Sequence, residues 1–366
     1  MTNEVNSQSM NRTIIISITP IDTLFFKDGK PFSMGDDTWA DGIFPPSPST
    51  IYGALRTLYF SENPSELSEI EKNDPTNNLV IEKIYLENLE EYDSKLFPSP
   101  LDMFLKENET LDFFNIRKNN FCSSIKNKVD SILITNDSNI SSLENNLIKD
   151  IECYLEKKDS YPFKSSDINS FISKEAKTGI AINNETNSID EGKLYRVGMN
   201  RLKDISFVVE FKGINFPDNF FDEPKIIKLG AEGKTAFCKK IDLPNFNQNI
   251  SINSKNIKMY LSTPAIFDNG WIPDFIDKEK MTGNLKISGQ DVELELKTAV
   301  IGKPIMIGGF DMLNNKPKQM KKAVPSGSVY YFASKENINS TDLISFSICK
   351  GDYRKQGFGI VFLGVY

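Results

Sequence analysis

The 366-residue chain contains no histidine. That absence removes the commonest general acid–base group, the usual imidazole metal ligand and every Ser–His or Cys–His nucleophile pair. Cysteine is scarce as well. Cys122, Cys153, Cys238 and Cys349 are dispersed without metal-ligand spacing and read as isolated thiols of a reducing compartment. No apolar run approaches a membrane span, and residues 1–12 are too polar for a signal peptide, so a soluble cytoplasmic protein with no membrane role is expected. Neither a Walker loop nor a dinucleotide fingerprint is present, and no cofactor is expected. Asp28, Asp36, Asp37 and Asp41 are the one compact carboxylate group, but aspartates beside glycines ordinarily cap turns with their own side chains. No metal is therefore expected, and without metal or histidine proton transfer would fall to Tyr, Lys or Arg.

What the chain does have is concentrated at residues 20–56, PIDTLFFKDGKPFSMGDDTWADGIFPPSPSTIYGALR. Phe25, Phe26, Phe32, Trp39 and Phe44 are large anchors inside a stretch rich in glycine and proline. A loop this long is rarely a mere connector, and its aromatics argue for an ordered surface. Before it, residues 13–19 read as a buried strand. After it, Ser47, Ser49 and Thr50 offer N-cap hydroxyls with Pro48 in the first turn, and Ile51, Leu55, Leu58 and Tyr59 recur at helical spacing. Strand, loop and capped helix together make an anion site, to which Lys27, Lys30 and Arg56 would contribute charge.

The net charge of −7 is unevenly distributed. Residues 61–112 hold 4 Lys/Arg against 14 Asp/Glu, net −10, whereas residues 300–366 hold 9 against 4, net +5. Local potential outweighs the sum, because salt screens charges beyond about 10 Å. Lys303, Lys316, Lys318, Lys321 and Lys322 surround Ile307-Gly308-Gly309-Phe310, a pattern suited to phosphate. Phe310 or Tyr330 offers a ring to stack on an unpaired base, although Phe310 taken alone is expected in the core. At 350–366, KGDYRKQGFGIVFLGVY, Arg354, Lys355 and Gln356 precede Gly357 and Gly359, whose missing side chains let another backbone approach.

Strands are expected at 79–86, 205–212, 226–229, 234–240, 257–262, 292–300, 328–333, 344–349 and 359–366. Residues 106–178, polar and carrying an amphipathic stripe of Leu143, Leu147, Ile151 and Tyr154, read as a helical insertion. Residues 179–182 and 193–197 flank the polar tip 183–192 as a long hairpin. This order suits α+β layers, and no internal repeat is visible.

The opening stretch through Tyr52-Gly53-Ala54-Leu55-Arg56 and the glycine-rich C-terminal loop resemble the RAMP superfamily of CRISPR proteins, and more closely its third Cmr subunit of type III-B effectors. Further matching blocks are 97–102 (FPSPLD), 179–180 with 194–196, 229–234 (LGAEGK), 261–265, 270–273, 307–311 and 324–331. Ala231 departs from the family, which usually has a second glycine there.

The resemblance implies an α+β fold of two ferredoxin-like (RRM-like) modules. The first, 12–225, would carry the insertion 106–178 and a projecting β-hairpin thumb at 179–197. The second, 226–366, would carry the basic and glycine-rich loops. It also implies a non-catalytic subunit that binds the 5′ handle of guide RNA (crRNA), meets target RNA near the handle-proximal end, and contacts the large polymerase-like subunit and an adjacent backbone RAMP. Arg196 would join the RNA-binding cations, and Ile189 would be the wedge of the thumb. A RAMP endoribonuclease is the second reading, weakened by the missing histidine. A scaffold touching protein alone is the third, weakened by the basic C-terminal region.

Overall fold

The computed structural model describes residues 12–27, 39–91, 94–106, 111–118, 131–134, 140–143, 146–149, 151–156, 165–182, 189–242, 252–311, 314–341 and 343–366. Two large antiparallel sheets organise it. In the first half the frame is β1 (Ile14–Pro20), α1 (Pro48–Glu62), β2 (Val80–Asn88), β3 (Ile205–Lys212) and β4 (Thr235–Lys240). Their order across the sheet is β2-β3-β1-β4, so β3 separates the parallel pair β1 and β2. That is a split β–α–β unit. Ser94–Pro98, Asn146–Ile148 and Ser165–Asp167 extend it beyond β2, and Lys225–Lys228 extends it beyond β4.

The second half repeats the order. Its frame is β5 (Ile252–Leu261), β6 (Gln290–Val300), β7 (Val329–Ser340), the short helix α2 (Gly351–Lys355) and β8 (Ile360–Val365), arranged β6-β7-β5-β8. The two halves share a strand order that their sequences do not betray. The expected boundary at 225/226 falls inside the first sheet, because Lys225–Lys228 pairs with β4 and β4 with β1. The crossing to the second sheet comes after residue 240.

Alternation along each strand decides which core a side chain joins. On β3, Phe207, Val209 and Phe211 face α1, which buries Ile51, Ala54, Leu55, Leu58 and Tyr59 as its spacing predicts. Val208 and, on β2, Tyr85 point the other way, into the core of the second sheet. All of β3 except Lys212 is buried, as a strand covered on both faces must be.

Residues 106–178 are not the expected helical insertion. Among the described residues of this stretch, strands run at Leu111–Phe113, Asn115–Lys118, Ser131–Ile134, Ile140–Ser142, Asn146–Ile148 and Ser165–Asp167, and helix is limited to Ile151–Leu155 with a 3-10 turn at Ile168–Phe171. Leu143, Leu147, Ile151 and Tyr154 are all buried, but Leu147 and Ile148 are buried together by pairing with Pro98 and Phe97. Tertiary packing overrides the helical period there.

The block Phe97–Asp102 joins the two sheets. Phe97 packs between Tyr85 and Phe362 at centroid distances of 5.4 Å to each. The Pro98 carbonyl accepts the Tyr260 hydroxyl at 2.5 Å, and Leu101 N–H donates to Gly327 O at 2.9 Å. Gly327 has φ +85°, and a Cβ there would lie 2.7 Å from Ser99 O. Buried Asp102 accepts the Tyr154 hydroxyl at 2.9 Å and also that of Tyr331. Replacing it with alanine strands two buried hydroxyls at about 1–3 kcal/mol each. Asp102→Ala should therefore lower the urea midpoint by an amount equivalent to at least about 2 kcal/mol, with Asp102→Asn milder. Equal midpoints for wild type and Asp102→Ala would contradict this account.

Candidate nucleic-acid interface

Strands Ile172–Ile182 and Ile189–Leu202 pair antiparallel in a hairpin longer than its expected flanks, and Trp39–Asp41 adds a third strand in parallel. Thr178 sits opposite Arg196, and Gly179 opposite Tyr195, so the family blocks at 179–180 and 194–196 are cross-strand neighbours. Residues 174–178 are exposed, as is Arg196, which forms no ion pair among the described residues. Ile189 opens the second strand opposite Ile182; the tip, 183–188, lies outside the described residues.

The base of the hairpin is clamped. Arg201 bonds Glu175 and, at 2.9 Å, Asp22, whose other oxygen accepts Lys234 at 3.1 Å. Lys177 approaches Glu232 at 3.6 Å. Residues 229–234 are thus a docking turn: Ala231 N–H donates to Phe25 O at 2.8 Å. The Ala231 methyl meets the small cluster of Phe25, Val197 and Met199, which accommodates its departure from glycine.

The two ends of the chain meet at residues 74–77. Arg56 donates to Asp74 at 2.8 Å and to Thr76 at 2.7 Å, while Lys355 donates to the backbone oxygen of Asn77 at 2.8 Å and to its side chain at 2.9 Å. Tyr52 beside Arg56 has its pKa raised, chiefly by burial. Ser49 and Thr50 turn their hydroxyls toward Ser47, at 2.8 and 3.2 Å, and no hydrogen bond links them to residues 354–357. Arg354 is exposed, and Gln356 closes α2 through its N–H.

Gly357 and Gly359 are buried, and the neighbours they admit are the chain's own. At Gly357, φ is +86° and a Cβ would lie 2.9 Å from Ile81; Gly359 N–H donates to Pro264 O at 2.7 Å. Lys27 is exposed and bridges to Gly42, whereas Lys30, Asp28, Asp36 and Asp37 lie outside the described residues. Asp41 belongs to the strand beside Arg196–Gly198.

The five lysines at 303–322 sit on a ribbon. Ile305–Ile307 pairs with Lys321–Ala323, and Phe310–Asp311 with Lys316–Pro317. All five are exposed and none forms an ion pair among the described residues. Phe310 is 50% exposed rather than in the core. Tyr330 cannot stack on a base: it is fully buried and its hydroxyl donates to Trp271 O at 2.6 Å.

The family described as CRISPR-associated protein (Cas_Cmr3) matches residues 16–366. The chain belongs to the Cas_Cmr3 family. The resemblance read from scattered blocks is thereby borne out over nearly the whole chain. No curated protein matches. Among solved structures, the chain is similar to one in "Cryo-EM structure of the Type III-B Cmr-beta bound to cognate target RNA and AMPPnP, state 1", at 18% identity over 87% of this chain and 86% of that one, TM-score 0.49. It is also similar to one in "Crystal structure of Csm3-Csm4 subcomplex in the type III-A CRISPR-Cas interference complex", at 14% identity over 95% and 98%, TM-score 0.37.

For this Cas_Cmr3 chain, sequence reasoning missed Lys174 and Lys177, because residues 172–178 were expected in the helical insertion, and Arg201, which lies beyond the expected hairpin flank 193–197. No helix among the described residues is long and apolar enough to cross a membrane. Among the same residues no group of three or more His, Cys, Asp or Glu could hold a metal ion.

The clamp has a pH signature. The Thr23 N–H, then the Lys234 ammonium, hold Asp22 down to about 2, with Arg201 a lesser contributor. A depressed carboxylate stabilises above its unfolded pKa and loses that contribution as pH falls. The window here is from about 4 down to about 2. Carboxyl NMR titration should therefore place Asp22 near 2, with Lys234→Ala raising it more than Arg201→Ala. A larger rise with Arg201→Ala would reverse the assigned order.

Proposed function

We propose that this chain binds the 5′ handle of the guide RNA as a non-catalytic subunit of a type III-B effector. It docks on the large polymerase-like subunit beside an adjacent backbone RAMP, with target RNA reaching its handle-proximal end. Family membership across residues 16–366 carries the reading. The geometry supports it. Arg196 and Arg354 are exposed and without ion pairs among the described residues, as cations awaiting a polyanion would be. Arg56 and Lys355, already engaged with residues 74–77, shape that surface more than they charge it.

We read the two sheets as ferredoxin-like (RRM-like) modules, since each places its four frame strands in the order second, third, first, fourth. α1 supplies the first crossover of one half, and α2 lies on the second crossover of the other. The hairpin 172–202 is the thumb in this reading, with Ile189 its wedge at the first pairing position.

Endoribonuclease activity, the competing reading, would need a proton-transfer group other than histidine. Tyr154, Tyr260, Tyr330 and Tyr331 are all pushed well above the ordinary phenol range, chiefly by burial, and so are closed to that role near neutral pH.

Deleting residues 184–191 should leave folding and handle binding intact while changing how the first guide nucleotide pairs with target, read by nucleotide-resolved probing. Unchanged pairing would remove the thumb role. Arg354→Glu should weaken guide binding and flatten its salt dependence by about 0.7–0.9 in log–log slope. If effector assembled with this subunit holds the guide handle equally well with Arg354→Glu and Arg196→Glu combined, handle binding by this surface is wrong.

A further inference from the structure

The hairpin 172–202 is inserted between β2 and β3, the second and third frame strands of its half. The lysine ribbon 305–323 is inserted between β6 and β7, the second and third frame strands of the other. Two halves with one strand order thus each send out an antiparallel finger from the same place. We propose that the ribbon is a second RNA-binding finger, which stacks one unpaired base on Phe310 and neutralises the flanking phosphates with Lys316, Lys318, Lys321 and Lys322.

Several features of the ribbon fit that ligand. Residues 303–322 carry five lysines against one carboxylate, Asp311, a net +4 in a chain of net −7. Phe310 stands opposite Pro317, and Lys316 and Lys318 precede and follow that partner on the facing strand with their side chains alternating to the other face. The Lys318 N–H donates to Gly309 O at 2.9 Å, which fixes that register. Met306, 44% exposed, stands opposite Lys322 and sets a second apolar side chain beside a cation. A ring and a thioether at the surface cost hydration that only an apolar or π-faced visitor relieves. Lysines without ion-pair partners among the described residues select a polyanion. A single RNA strand supplies both, whereas a duplex keeps its base faces stacked and out of reach.

The root of the ribbon is rigid. Ile307 and Ala323 are buried, Val324 bridges to Ala265, and Gly302 lies so close to Leu101 and Pro325 that a Cβ would come within 2.9 and 2.7 Å of them. The finger is held by the same block that joins the two sheets.

The inference rests on the reading of the chain as an RNA-binding subunit, and one titration separates the two. The full chain is titrated with a short labelled oligouridine strand and with a duplex of equal length, by anisotropy across a series of salt concentrations. Phe310→Ala should weaken single-strand binding about 5-fold or more and leave duplex binding unchanged, while Phe310→Trp binds as wild type and is quenched by the RNA. Lys318→Ala, Lys321→Ala and Lys322→Ala combined should lower the salt slope by about 2. All these positions are exposed, so thermal midpoints should match wild type and report any misfolding.

If the ribbon variants bind like wild type while Arg196→Glu with Arg354→Glu binds weakly, the second finger is refuted and the RNA-binding reading survives. Absence of any strand binding by the wild-type chain would remove both. Ribbon variants that keep RNA affinity but fail to assemble with effector subunits would assign the ribbon to a protein contact and overturn the inference.

Discussion

The architecture depends on the short block Phe97–Asp102, which belongs to both halves. Its aromatic ring lies between Tyr85 of the first sheet and Phe362 of the second, and its backbone hydrogen-bonds Gly327 at the head of β7. At its end a single carboxylate, sealed from water, holds tyrosines from residue 154 and residue 331. A buried carboxylate is tolerated where its lone pairs are filled, and here filling them requires both tyrosines at once. The irregular region between β2 and β3 and the central strand of the second sheet are thereby fixed relative to one another. The lysine ribbon inherits that rigidity through Gly302 and Leu101.

The duplicated strand order also separates what each half retains. The first sheet keeps its long helix α1 on one face and gives its other face to the second half. The second sheet has turns and short strands at 262–289 in place of a first helix, and its buried face is filled by its own aromatics and by Phe97, Tyr85 and Tyr154. Elements that would cover an isolated sheet are dispensable where another sheet covers it.

Much of this was legible in the sequence because it depends on local pattern. The helical spacing of Ile51, Leu55 and Leu58 and the apolar runs at 14–18, 205–211 and 360–365 have one reading each, and the structure bears them out. The buried set at 143, 147, 151 and 154 was also legible, but its secondary structure was not. A four-residue spacing fits a helix, yet pairing with residues 97–98 is a long-range event that no local window reports. Glycines were ambiguous in the same way: Gly357 marks a close approach, and only the fold shows that the neighbour is Ile81. Phe310 erred in the opposite direction, since an aromatic after two glycines reads as core until its strand is seen to stand clear of one.

The position of β3 between β1 and β2 has a kinetic consequence. Those two parallel strands are joined early by α1, but the strand that must lie between them lies beyond the whole stretch from Leu89 to Asp204. Until it inserts, both strands present unpaired inner edges, and the apolar face of α1 has no floor. Closing so long a loop is entropically slow, and open edges of this kind are where chains pair with the wrong neighbour. The strand between β1 and β2 thus closes a long loop, and crowded synthesis of this protein should favour conditions that give insertion time to outrun aggregation.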